Sequence, residues 1–182
     1  MTNVLQPSDA LLRGVTFERR SRLSVAFLKE ESAETASETM LPDRAISLHQ
    51  NLVTEAGLKA LELQLSQARE AYDAASTNED VNERRRQQAI PLRDARYLAA
   101  RVSTAQVVPA PVSQDIVAFG GTVTFARDDG RVQTYRIVGE DEADPKAGSI
   151  SFVSPVARVL MGKAVGDVVS VADHEIEITA IA

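Results

Sequence analysis

Asp80 and Glu83 stand three residues apart in Glu79-Asp-Val-Asn-Glu-Arg-Arg-Arg86, between two stretches with helical periodicity. In the first turn of a helix that spacing puts two carboxylates on one face, where hard oxygen ligands could share a divalent cation. The same pair could instead finish the helix end, with Asp80 as N-cap and Glu83 completing a capping box. Any helix start can carry D-x-x-E, so spacing alone leaves both readings open. Arg84, Arg85 and Arg86 follow at once, and with Arg93, Arg96 and Arg101 they make the second stretch strongly basic. Pairing with an acidic first arm and with solvent accounts for such a run. The only two histidines, His49 and His174, offer less. No second metal ligand lies at helical spacing from His49, which reads as an exposed residue ahead of a helix. His174 falls in a turn with no Ser or Asp partner that sequence identifies.

The elements that must hold the carboxylates are legible from hydrophobic spacing. Leu58, Leu61, Leu65, Ala68, Tyr72 and Ala75 recur at intervals of three and four, which is one stripe of a helix and the seam of a coiled coil. Thr54 is the expected N-cap, with Glu55 favourably placed against the helix dipole. Ser76-Thr-Asn-Glu-Asp80 is rich in cap-forming residues and predicts a tight turn. A second helix is expected from about Asp80 to Ser103, its seam at Leu92, Ala95, Ala99 and Val102. Two arms of nearly equal length predict an antiparallel hairpin in which each covers the other's apolar stripe. Pro91 lies inside the second arm, where it removes a hydrogen bond at a cost of about 3 kcal/mol. A continuous, kinked helix is expected because Asn82 to Ile90 are largely good helix formers; a restart at Pro91 is the alternative.

Flanking segments differ in kind. Residues 1–50 read as a partly disordered N-terminal extension, with one possible strand at Ser24–Leu28 and an acidic, small, polar linker from Glu30 to Thr39. Residues 51–108 form the hairpin, and Gln106 to Val112 is expected to be a short stiff linker. From 109 to 182 the chain turns β-rich: Thr122–Phe125 and Val132–Val138 flank the hairpin turn Asp128-Asp-Gly-Arg131. Ser149–Val153, Val168–Val171 and Glu175–Ile181 read as further strands. Pro155 to Lys163 reads as a short helix with Ser154 as N-cap and Pro155 at its first position. The sum is an α+β chain: a helical hairpin followed by a small antiparallel sheet with one helix packed on it.

The last third also carries a long ordered pattern, Tyr135-Arg-Ile-Val-Gly-Glu-Asp-Glu-Ala-Asp144 and then Ile150-Ser-Phe-Val-Ser-Pro-Val-Ala-Arg158 running on to Val169. It resembles the C-terminal domain of the bacterial Gre transcription elongation and transcript-cleavage factors. Thr54-Glu-Ala-Gly-Leu58 and Thr104-Ala-Gln-Val-Val108 extend the resemblance to both ends of the hairpin. It implies an FKBP-like fold for residues 109–182 and RNA polymerase as partner, with nascent RNA touched only indirectly. Docking would be at the rim of the secondary channel, with the hairpin inserted. Asp80 and Glu83 then take the place of carboxylates that share Mg²⁺ with the polymerase, which would make the chain an accessory factor with no cofactor of its own. Arg84, Arg85 and Arg86 occupy positions where the family carries Asn-Ala and an aromatic residue, and could meet an acidic or phosphate-lined channel. Asp141, Glu142 and Asp144 read as a surface turn or, by resemblance, a polymerase-facing edge; Ser154, Pro155 and Arg158 read as capping and packing or as part of that edge. Each arm is about one heptad shorter than the usual family hairpin, which removes roughly 10 Å of reach. A non-cleaving regulator that occludes the channel is therefore the alternative to a cleavage factor.

Composition sets outer bounds. The 182 residues are 44% hydrophobic but only 4% aromatic with no Trp, so the core must be aliphatic. That scarcity also disfavours a prolyl isomerase, which needs an aromatic-lined pocket. Absence of Cys removes disulfides, thiolate metal sites and cysteine nucleophiles, and suits a reducing cytoplasm. A formal charge of −6 argues against strong independent DNA binding. No apolar run approaches the roughly 20 residues that span a bilayer, and no membrane partner is expected.

Overall fold

The computed structural model describes residues 41–171 and 174–182, so the expected strand at Ser24–Leu28 and the acidic linker lie outside it. Strand β1 (Leu52–Val53) leads into helix α1 (Glu55–Ala75), and helix α2 (Val81–Thr104) returns to strand β2 (Gln106–Val107). Thr54 caps α1 as its residue type predicts, its hydroxyl accepting from Gly57 N at 2.9 Å. Leu61 and Leu65 are buried on the expected seam against Val53 and against Leu98, which the expected second seam did not include, and Leu58, Ala68, Ala95, Ala99 and Val102 pack around them, without Leu92. Leu63, off the seam, is exposed. Helix α2 runs unbroken through Pro91, which rules out the restart.

One expectation at the hairpin base fails. Gln106 and Val107 are not linker: they pair in parallel with Leu52 and Val53. Gln106 N donates to Asn51 O at 2.8 Å and Val108 N to Val53 O at 2.9 Å, so backbone bonds tie the chain's way into the hairpin to its way out. Residues 41–50 form no strand or helix but lie along α2. Arg44 stacks 3.8 Å from the centroid of the Tyr97 ring, and Asp43 pairs with Arg96 at 3.4 Å.

Beyond the hairpin come β3 (Thr122–Arg127), β4 (Val132–Val138), β5 (Ser149–Ser151), α3 (Pro155–Leu160), β6 (Val168–Val171) and β7 (His174–Ile181). They build a five-stranded sheet in the order β5-β4-β3-β7-β6. Alternate residues of the strands, including Val123, Phe125, Ile137, Ile176 and Ile178, face a core completed by Ile150 and by Ala157 and Leu160 of α3. The expected antiparallel sheet is in fact mixed, because β5 runs parallel to β4. Residues 139–148 leave β4 toward the hairpin, make a 3-10 turn at Pro145–Ala147 and come back through Gly148 at φ 85°, so the returning strand keeps the direction of the departing one. Helix α3 stops at Leu160, short of the expected Lys163. Gly162 N donates to Val117 O and Lys163 O accepts from Val117 N, both at 2.8 Å, which draws the chain off the helix axis.

Candidate functional site

The hairpin brings the sequence-derived residues to two places, its tip and its base. At the tip, Asp80 Oδ1 accepts from Asn82 N at 2.8 Å and from Glu83 N at 3.0 Å. Those two backbone donors, Glu83 first, hold the Asp80 carboxyl below its ordinary value and keep it ionised. The expected capping box is not completed. Asp80 N is taken by Asn78 Oδ1 at 3.0 Å, while Glu83 turns along the helix to accept from Gln87 Nε2 at 3.0 Å and to pair with Arg86 at 3.8 Å. Arg84 Nη1 closes the turn on Asn78 O at 3.1 Å. Arg85, near the start of α2, is exposed.

A divalent cation would fit this tip poorly. Asp80 has one oxygen already occupied by two N–H groups, and both oxygens of Glu83 are engaged, one of them by an arginine that competes for the same charge. Hard-cation sites need several convergent oxygens. Here the capping role of Asp80 is met by two backbone N–H groups.

At the base Asp141 and Glu142 turn inward, unlike the expected surface turn, while Asp144 stays exposed as expected. Asp141 accepts from Tyr97 OH and from Arg101 Nε, each at 2.5 Å, and Arg101 is only 2% exposed. Glu140 lies 3.8 Å from the other side of the same guanidinium. Glu142 Oε1 accepts from the Thr54 hydroxyl at 2.6 Å, so the N-cap of α1 is itself fixed by the sheet domain. Burial, with the bond to Asp141 behind it, pushes the Tyr97 phenol above its ordinary value. A Cβ on Gly57 would overlap the Glu142 carboxylate, and one on Gly139 would overlap Leu52 O. Asp144 caps the 3-10 turn through Lys146 N and Ala147 N. Sequence reasoning missed this joint, although Arg101 falls three residues after Leu98 on the buried stripe, where an arginine needs an acidic partner.

Ser154 and Pro155 open α3 as expected, Ser154 Oγ accepting from Ala157 N at 3.2 Å. Arg158 Nη2 donates to His49 Nε2 at 3.1 Å, so His49, half exposed, ties the segment ahead of the hairpin to α3. His174 does have a partner: its Nδ1 lies 2.9 Å from Asp128 Oδ1 across the β3–β4 turn. Asp128, Asp129 and His174 are the one cluster of potential metal ligands among the described residues. Asp129 is held by Arg131 and Arg127, so arginines already neutralise that turn. On the sheet domain, Phe125 and Tyr135 line a cleft of about 340 Å³ with Ile150, Val156 and Ile176, bringing two scarce aromatics together. Among the described residues no helix is long and apolar enough to cross a membrane.

Residues 112–182 match the family described as "Transcription elongation factor, GreA/GreB, C-term". Transcription elongation factor GreA of Desulfovibrio desulfuricans is 42% identical over 102 residues, 55% of this chain and 57% of its own length. GreA of Alkalilimnicola ehrlichii is 43% identical over 110 residues, 59% of this chain and 69% of that one. The crystal structure of GreA factor homolog 1 of Thermus thermophilus is 23% identical over 74% of this chain and 99% of its own. Its TM-score of 0.35 is too low to set one residue against another.

Proposed function

The chain belongs to the GreA/GreB family of transcription elongation factors, and we propose that it binds RNA polymerase, docks its sheet domain at the rim of the secondary channel and inserts the hairpin to modulate elongation. The chain is an accessory factor in this reading and catalyses nothing alone. Within that function the tip favours a regulator that occupies the channel over one that drives transcript cleavage. The observation that carries this is the state of Glu83, whose oxygens are bound to Gln87 and Arg86 beside a cap-committed Asp80. Arg85, free at the tip, supplies positive charge suited to phosphate oxygens in the channel. Ser154, Pro155 and Arg158 belong to the polymerase-facing edge of the sheet domain. Cleavage with a shared Mg²⁺ is the second reading, kept by the ionised Asp80 and its D-x-x-E spacing.

The test is a backtracked elongation complex mixed with the full chain. The expected result is complex formation at micromolar concentration in low salt, with little shortening of the RNA and little change in affinity for Asp80→Ala with Glu83→Ala. Rapid shortening from the 3′ end, abolished by that double substitution while binding persists, would establish the cleavage reading instead. No binding at all would remove the family-based function for this chain.

A further inference from the structure

We infer that Arg101, Tyr97 and Asp141, with Glu142 and Gly57, form an alignment joint that sets the direction of the hairpin relative to the sheet domain, so that the run Glu140–Glu142 works inward as the receptor for the hairpin. Three side-chain hydrogen bonds reach across from separate elements. Tyr97 and Arg101 of α2 converge on the two oxygens of the Asp141 carboxylate, and Thr54 at the start of α1 donates to the adjacent acidic residue, Glu142. Asn51 Nδ2 meanwhile donates to Arg101 O at 2.6 Å and to Thr104 Oγ1 at 3.0 Å, which holds the end of α2 against the chain that enters α1. A guanidinium gripped by Nε and flanked by Glu140 cannot rotate without losing a planar contact. Because both arms are gripped, and by adjacent residues of one segment, the joint resists tilt as well as separation.

Distance magnifies this. From Arg101 to Asp80 along α2 is roughly 30 Å, so a tilt of about 10° at the joint moves the tip about 5 Å. Contacts made at the tip by hydrogen bonds or metal bonds tolerate a few tenths of an ångström. Asp141 and Arg101 are thus positioning residues for whatever the tip does. Their consequence for polymerase rests on the function proposed above; the alignment itself does not.

Close approach is a separate requirement. Gly57 faces the Glu142 carboxylate with no room for a Cβ, so Gly57→Ala pushes that carboxylate off the Thr54 hydroxyl while leaving every charge in place. Asp141→Asn does the reverse: the backbone fits, but the negative charge that meets the buried Arg101 is gone, and the Tyr97 hydroxyl must turn from donor to acceptor to meet the amide N–H₂.

The native chain has no Cys, so Thr77→Cys at the tip and Ala180→Cys on β7 give clean attachment of two spin labels. Pulsed electron-electron double resonance on the full chain should show one narrow distance distribution. Asp141→Asn and Gly57→Ala should each shift or broaden it by about 5 Å, with helical circular dichroism unchanged, while Glu79→Gln at the tip leaves it as it was. Arg101→Ala is the obvious variant but could unfold the chain, so the other two carry the decision. A parent distribution already as broad as that of the variants, or variants indistinguishable from a narrow parent, overturns the joint. Polymerase affinity measured on the same labelled proteins separates the two ideas: its absence removes the proposed function while the distances still decide this one.

Discussion

The base and the tip of the hairpin are built from the same residue types and held by opposite means. At the base, Arg101 and Asp141 meet across 40 positions of sequence, Asn51 and the Arg101 carbonyl across 50, and Thr54 and Glu142 across 88. At the tip, Asn78 bonds Asp80 two residues on, Asp80 bonds Glu83 three on, and Glu83 bonds Gln87 four on. Long-range bonds exist only if the whole fold exists, whereas local ones survive as long as the turn does. The tip can therefore change its chemistry without cost to the fold, and the base cannot.

The largest test of the contrast is Arg101→Ala. It removes the buried member of the pair and leaves the partly buried Asp141 beside Tyr97 without its cation, and breaking such a pair costs about 3 to 5 kcal/mol when buried. Arg85→Ala at the exposed tip should stay within about 0.5 kcal/mol. Urea unfolding of the two variants side by side measures both. Equal losses would mean that burial at the base is not what distinguishes the two ends.

Next come the leucines between them. Leu61→Ala and Leu65→Ala should each destabilise by about 2 to 4 kcal/mol, because each empties a buried site, while Leu63→Ala should cost less than about 1 kcal/mol. Leu61 is 3% exposed, Leu65 8% and Leu63 59%. Thermal denaturation ranks them, and a Leu63 loss as large as the other two would put the seam in the wrong register.

What could be seen in the sequence follows the same division. The α1 seam, the caps Thr54, Asp80 and Ser154, the Asp128–Arg131 hairpin turn and most strand positions depend on neighbours a few residues away, and they stand where periodicity and turn chemistry put them. Apart from the capping box at Asp80, which Asn78 and Gln87 divert locally, the failures are long-range. Strands β1 and β2 have two residues each and are recognisable only by meeting one another. The parallel direction of β5 comes from the detour of residues 139–148 to the hairpin base. An acidic run with small neighbours looks like a surface turn until Arg101 is found opposite it. His174 likewise seemed alone because Asp128 lies 46 residues earlier. At the tip the residues were identified, yet which of two roles they play depended on where Glu83 turned.

The base should also answer to alkali. Tyr97 holds its proton above the ordinary phenol value because burial and the Asp141 carboxylate both oppose a second negative charge. In the unfolded chain the phenol ionises near pH 10. The folded state therefore binds more protons above that pH, and the contribution is full below about pH 10 and lost as pH rises through the raised value. Stability measured from pH 8 to 11 should fall more steeply for the parent than for Tyr97→Phe, which lacks the titrating proton. Parallel curves would mean that the phenol is not part of the joint.

Acid is the corresponding probe of the tip, and the smallest effect expected. Asp80 is fully exposed and its carboxyl is lowered by two backbone N–H groups at the start of α2. Its contribution is present above about pH 4, the unfolded value, and fades as pH falls through the depressed folded one. Because the bonds it makes are confined to one turn, protonation should loosen that turn and nothing else. Amide exchange at Asn82 and Glu83 is then expected to quicken on acidification, and Asp80→Asn, whose side-chain oxygen can still accept, should largely suppress the change. Over the same range the exchange of amides near Arg101 should not respond to Asp80 at all. A tip whose acid response spread down α2 to the base would join the two regions that the hydrogen bonds keep separate, and cap chemistry at the tip would then bear on hairpin alignment.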